Sequence, residues 1–154
     1  GAAELAAARD LHTDDASPRA AFLRYRTQTH RVWLRANEER LRLRQTWHRF
    51  FSDAQLDVLI TPAAPTAAIP AGSRSLMVDG VERNFFAQTG WANLPSHVGL
   101  PSLVMPAARS ADGLPIGVQL VGPAYSERSL LVMAEHLAPL LGGTAGGVIG
   151  SWSG

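Results

Sequence analysis

Between Phe22 and Phe50 the apolar positions recur at steps of three and four. Phe22, Tyr25, Thr29, Trp33, Ala36, Leu43, Trp47 and Phe50 share one stripe, and Arg40 is its only charged member. That period is one face of an α-helix. It predicts a long helix over residues 18–51 with the stripe as a core face rather than a ligand box. Ser17 offers an N-cap and Pro18 occupies the first helical position, a strong start signal. Arg42, Arg44 and Arg49 crowd the other end, where cations complement the helix dipole. Upstream, residues 1–11 read as the end of a helix and "LHTDDASP" as a loop.

Past the long helix the pattern changes. Leu56 to Thr61 is a short, nearly continuous apolar run, as expected of a strand buried on both faces. Pro62, Pro65 and Pro70 end it and force extended, irregular backbone. "SLMVDGVERNF" alternates around Asp79-Gly80, a two-residue hairpin signal. Residues 85–97 suit a helix feeding a loop, weakened by Gly90 and Pro95. Buried strands follow near 102–106 and 116–121, with a turn at Asp112-Gly113 between them. Ser126 caps a closing helix over 127–141, with Glu127 in its first turn. Residues 142–154 form a Gly/Ser-rich tail expected to be flexible. Buried strands alternating with helices give an α/β class with residues 1–141 as one domain portion, whose few strands call for further sheet neighbours.

Composition narrows the chemistry. The chain of 154 residues has no cysteine, which excludes disulfides, Cys-based zinc sites and thiol catalysis. All 14 of its Lys/Arg residues are arginine. No lysine is therefore present to form a Schiff base, close a phosphate-binding loop or pair with a serine. Nine arginines between Arg19 and Arg49 face only Glu38 and Glu39, whereas the remainder is net acidic. With no nucleic-acid motif beside it, this basic stretch reads as a solvated helix face. No apolar run approaches the length of a membrane span, no export signal is visible, and the cytoplasm is the default expectation.

The catalytic constellations are missing. His12, His30, His48, His97 and His136 are scattered, and none pairs with an acid or a second histidine at metal-ligand spacing; no metal is expected. Asp14-Asp15 and Glu38-Glu39 are adjacent in sequence, so their carboxylates diverge. "GTAGGVIG" follows a helix end rather than a strand, which argues against a dinucleotide loop. His97 stands out only because it lies in the Gly/Pro-rich stretch "LPSHVGLPS". Gln119 falls within a buried strand and must be hydrogen-bonded, a structural role first of all.

One resemblance covers residues 50–140. "DVLITPAAP" and, further on, "ANLPSHVGLPSLVMPAARSADGLPIGVQLVGPAYSERSLLVMAEHL" strongly resemble the C-terminal region of the amidase signature family. The matching residues are Thr61-Pro62, Asn93, Gly99-Leu100-Pro101, Pro106, Asp112-Gly113-Leu114-Pro115, Gly117, Gln119 and Gly122-Pro123. Ser102 stands where alanine is usual, and Ser96-His97 replaces commoner small residues.

The resemblance implies an α/β/α sandwich around a mixed β-sheet, of which this chain is the C-terminal part. It implies hydrolysis of carboxamides by a Ser nucleophile, a bridging cis-Ser and a Lys base, without metal or organic cofactor. Those catalytic residues lie outside this chain, so no residue here is catalytic and the chain alone is expected to be inactive. The expected partners are an N-terminal amidase portion carrying that centre and a small amide substrate, with a homodimer through open strand edges also considered. Carried onto this sequence, the substrate-binding residues are Thr61, Pro62, Ala63, Trp91, Asn93 and His97. Two other readings stand beside it: a non-catalytic binding or structural remnant, and part of a tRNA-dependent amidotransferase.

Overall fold

The computed structural model describes residues 1–9 and 17–141, so the predicted 142–154 tail, the "GTAGGVIG" stretch, His12 and Asp14-Asp15 lie outside the described residues. The chain divides into two compact units, Gly1–Arg42 and Leu43 onward.

The first unit is helical. Helices α1 (Ala2–Arg9) and α2 (Pro18–Thr27) pack together, with Ala20 and Leu23 of α2 buried. The Ser17 cap is present: its hydroxyl accepts from the Ala20 N–H at 3.2 Å, and Pro18 opens the helix. Glu4 is held below the usual carboxylate range by a hydrogen bond from the Gly1 amino group, with Arg26 3.1 Å away.

The long helix predicted over 18–51 is two helices, because α3 (His30–Asp53) starts afresh after a break at Gln28 and Thr29. Gln28 is extended, with ψ of 146°. The threonines around it explain the break. The Thr27 hydroxyl bonds back to the Leu23 carbonyl (2.7 Å), and the Thr29 hydroxyl accepts from the Val32 N–H (3.4 Å). Short hydroxyl side chains compete in this way with the helical ladder. Because α3 runs on to Asp53, Arg42, Arg44 and Arg49 sit before its last turn and do not cap it.

The stripe predicted as a core face is largely exposed: Phe22, Tyr25, Trp33, Leu43 and Phe50 all remain in solvent. Among the described residues, only the C-terminal end of α3 meets a core, through buried Phe51 and partly buried Trp47.

The second unit is built on a three-stranded sheet. Strands β1 (Leu59–Pro62), β4 (Ser102–Arg109) and β5 (Pro115–Val121) lie in the order β1-β5-β4, all antiparallel. A mixed sheet was implied for the family; the strands described here pair only antiparallel. Strands β2 (Ser75–Val78) and β3 (Val81–Asn84) form the predicted hairpin. Asp79 (φ 51°) and Gly80 (φ 76°) both take the left-handed conformation that a type I′ turn requires.

Register and side-chain alternation sort the sheet into two faces. Leu59 and Val121 point to one side, where they meet Phe51, Val98 and Leu100. Leu120 and Met105 point to the other, against Leu130 of α5 (Glu127–Leu137). Helix α4 (Gly90–Val98) and the end of α3 thus cover one face, and α5 the other, giving a helix–sheet–helix sandwich. Among the described strands, the central β5 alone is buried on both faces, through neighbouring Leu120 and Val121. The strand expected over 56–61 begins at Leu59, and as an edge strand it leaves Ile60 52% exposed.

Prolines set the remaining boundaries. Pro139 turns the closing helix into a 3₁₀ turn at Ala138–Leu140, so α5 stops short of 141. Ser126 does not cap α5 as predicted; its hydroxyl donates to the Pro123 carbonyl instead, at 2.7 Å. The two outer edges of the sheet differ. Strand β4 carries Pro106 and a bulge between Pro106 and Ala108, whereas β1 is regular from Leu59 to Thr61.

Candidate functional site

Strand β1 delivers Thr61, Pro62 and Ala63 to one end of the sheet, and β5 lays Gln119 beside Thr61 in register. Both Thr61 and Gln119 are buried (6% and 2% exposed). The Gln119 Nε2 group donates to the Thr61 hydroxyl (3.2 Å) and to the backbone carbonyl of Trp91 (3.1 Å). The second bond fixes the amide orientation, because a carbonyl accepts only from the NH₂ end.

Pro95 explains why Trp91 needs this donor. In an α-helix the Trp91 carbonyl would accept from the N–H of residue 95. Residue 95 is a proline inside α4 and has no N–H. Gln119 supplies the missing donor from the sheet, so one amide completes the helix and ties it to β5. The structural role read from the sequence for Gln119 takes this form.

The six predicted site residues separate into two groups. Thr61 and Trp91 converge on Gln119, with Pro62 and Ala63 continuing directly from Thr61. Ala63 borders a cavity of about 340 Å³ that is also lined by Gln88, Ile116 and Gly117. Trp91, Pro95 and Val98 fall on the sheet-facing side of α4, although Trp91 is still 40% exposed. Asn93 and His97, four residues apart, share the solvent side. Asn93 Nδ2 donates to the Thr89 hydroxyl at 3.1 Å, and His97 is exposed in the last turn.

Glycines hold the site together at close approaches. A β-carbon on Gly117 would lie 3.2 Å from Val104 Cγ1 and 3.8 Å from Ala63 Cβ. Gly99 ends α4 in the left-handed conformation (φ 67°), and Gly113 (φ 80°) makes the predicted Asp112-Gly113 turn. Among the described residues no three His, Asp or Glu converge as a metal cage, and no helix is long and apolar enough to cross a membrane.

Nothing in the sequence singles out Thr66. Its hydroxyl oxygen is buried without a hydrogen-bond partner among the described residues, at the border of the same cavity. The one available signal is a lone hydroxyl in the Ala/Pro run "TPAAPTAAIP", and that run reads as loop.

The family model described as Amidase matches residues 12–131. A glutamyl-tRNA(Gln) amidotransferase chain of Methylocella silvestris is 33% identical over 110 residues, 70% of this chain and 22% of that protein. Indoleacetamide hydrolase of Allorhizobium ampelinum is 36% identical over 103 residues, 65% of this chain and 22% of that protein. The chain therefore spans about a fifth of the length of these curated relatives. A crystal structure of an amidase superposes with a TM-score of 0.72 at 26% identity, over 90% of this chain and 33% of the other. With most of its length matched by the family model, and with the helix–sheet–helix sandwich shared, the chain belongs to the amidase (amidase signature) family.

Proposed function

We propose that this chain is the C-terminal part of an amidase that hydrolyses carboxamide C–N bonds to a carboxylic acid and ammonia or an amine. The observation that carries the reading is the family match over residues 12–131. The likeness to a hydrolase of indoleacetamide supports an amide as substrate. The chemistry implied is attack of a serine on the amide carbonyl, with proton transfer through a cis-Ser and a lysine. Loss of the amine leaves an acyl-enzyme, which water then releases. These catalytic groups belong to sequence outside this chain, which has no lysine. No cofactor takes part, and the cytoplasm is the compartment.

The chain's own contribution is a wall of the substrate pocket. Thr61, Pro62, Ala63 and Trp91 form its rigid side, held from behind by Gln119, and the prolines fix the rim. Asn93 and His97 offer polar groups from the solvent side of α4. The test is ammonia release from simple amides by the chain mixed with a polypeptide carrying an N-terminal amidase portion. Activity is expected in the mixture and absent from either part. Activity in the chain alone, or none in any mixture that forms a complex, refutes the reading.

A second reading follows from the glutamyl-tRNA(Gln) amidotransferase names among the relatives. Under it the arginines of residues 19–49 face RNA. RNA binding that weakens steeply with salt, with a slope of several counterions, favours this reading; its absence leaves the hydrolase.

A further inference from the structure

One apolar groove in the second unit plays no part in the site at Gln119. It lies on the C-terminal half of α3, has a volume of about 280 Å³ and is lined by Leu43, Thr46, Trp47 and Phe50. These positions are three and four residues apart and so share one side of the helix. Leu43 and Phe50 remain exposed. Trp47 is held from behind: its ring lies 6.1 Å from that of buried Phe51 and edge-on to Phe50 at 5.4 Å. The groove is therefore set before anything binds, which lowers the ordering cost of association.

The surface continues past Trp47 in a particular chemistry. Arg44 lies one turn before Trp47, with its guanidinium 5.9 Å from the centroid of the Tyr125 ring. Tyr125, in the turn before α5, is almost fully exposed and has φ of 67°, a left-handed conformation rare for a bulky residue. Backbone strain of that kind collects at functional segments. Ala124 packs against the same core cluster as Trp47, so the turn and the helix present one surface. Trp, Tyr, Phe and Arg are enriched where proteins meet, and Trp, Tyr and Arg most often carry the binding energy there. Among the described residues no carboxylate lines the groove, so the charge at its border is positive.

We propose that this face docks an amphipathic helix of the N-terminal amidase portion, with apolar side chains three or four residues apart filling the groove and a carboxylate on Arg44. The helical spacing of the groove suits a helix as its occupant, and the positive border suits an acidic one. The length of the relatives supplies the source, because they carry most of it outside the segment shared with this chain. The occupant rests on the reading of the chain as the C-terminal part of an amidase; the face itself rests on its own geometry.

The experiment titrates the chain calorimetrically with a polypeptide carrying the N-terminal amidase portion and sizes the product by light scattering. A one-to-one complex is expected. Leu43→Glu and Phe50→Glu each put a carboxylate in the groove and should weaken it at least about tenfold. Phe50→Leu keeps the groove apolar and should stay within about threefold of the parent. Arg44→Glu should slow association several-fold at low salt. Near-UV circular dichroism shows whether Phe50→Glu folds, and Leu43→Glu decides if it does not. Unchanged affinity in Leu43→Glu, or weakening by Phe50→Leu equal to that by Phe50→Glu, overturns the proposal. So does the absence of a complex, or in its place a homodimer or binding to phosphatidylglycerol vesicles that Leu43→Glu abolishes. Ammonia release from a complex untouched by Leu43→Glu overturns the face and leaves the amidase reading intact. A complex that Leu43→Glu dissolves, but that is silent towards every amide, supports the face and refutes that reading.

Discussion

Replacing Gln119 by leucine preserves roughly the size of the side chain and deletes both of its hydrogen bonds. The Thr61 hydroxyl and the Trp91 carbonyl then lose their donor, the first in a buried and the second in a part-buried setting. At about 1 kcal/mol net per bond, the loss is about 2 kcal/mol. The value depends on Pro95. With Pro95→Ala, residue 95 regains an N–H that reaches the Trp91 carbonyl along the helix, so Gln119→Leu then costs only the Thr61 bond, about 1 kcal/mol. Pro95 is fully buried, so its replacement has a packing cost of its own, but that cost cancels in a double-mutant cycle. The four proteins of the cycle are unfolded in urea and followed by tryptophan fluorescence, with equal m-values required of all four. A coupling of about 1 kcal/mol or more is expected. If the two substitutions add to within about 0.3–0.5 kcal/mol, Gln119 does not stand in for the missing helical donor.

Other outcomes follow from packing. A β-carbon on Gly122 would sit 2.2 Å from Ser126 Oγ and 3.1 Å from Leu130 Cδ2. Gly122→Ala should therefore cost about 1–3 kcal/mol by overpacking, read as a lower unfolding midpoint. Leu120, fully buried against Leu130 and Met105, should lose about 2–5 kcal/mol as Leu120→Ala in the same assay. Ile60 is exposed on the open β1 edge. If copies of the chain associate through that edge, light scattering coupled to size exclusion shows a dimer for the parent and a monomer for Ile60→Lys; a dimer that survives the lysine excludes β1 as the contact.

Short-range chemistry was legible in the sequence. The Ser17-Pro18 start, the Asp79-Gly80 turn and the Asp112-Gly113 turn each depend on residues within a few positions, and each is present. So is the family, because its motifs are spread over Thr61 to Pro123 in fixed order. What failed depended on what a residue packs against. The aromatic stripe has helical period, but period alone does not say whether a surface lies opposite, and most of the stripe is exposed. Likewise "TQT" contains no proline or glycine, yet its hydroxyls divide the helix. Thr61 and Trp91 were expected near a site from the resemblance. Their link through Gln119 joins residues 28 and 58 positions apart, which no local pattern signals.

The inequality of the two sheet edges sets a limit on growth. An endless stack of sheets requires every molecule to accept a neighbour on both sides. Here Pro106 and the adjacent bulge make β4 irregular, whereas β1 is regular over Leu59–Thr61, before Pro62. Two copies joined through β1 would leave β4 as the outer strand of that sheet at each end. Growth of the three-stranded sheet through β1 is therefore disfavoured beyond a closed pair.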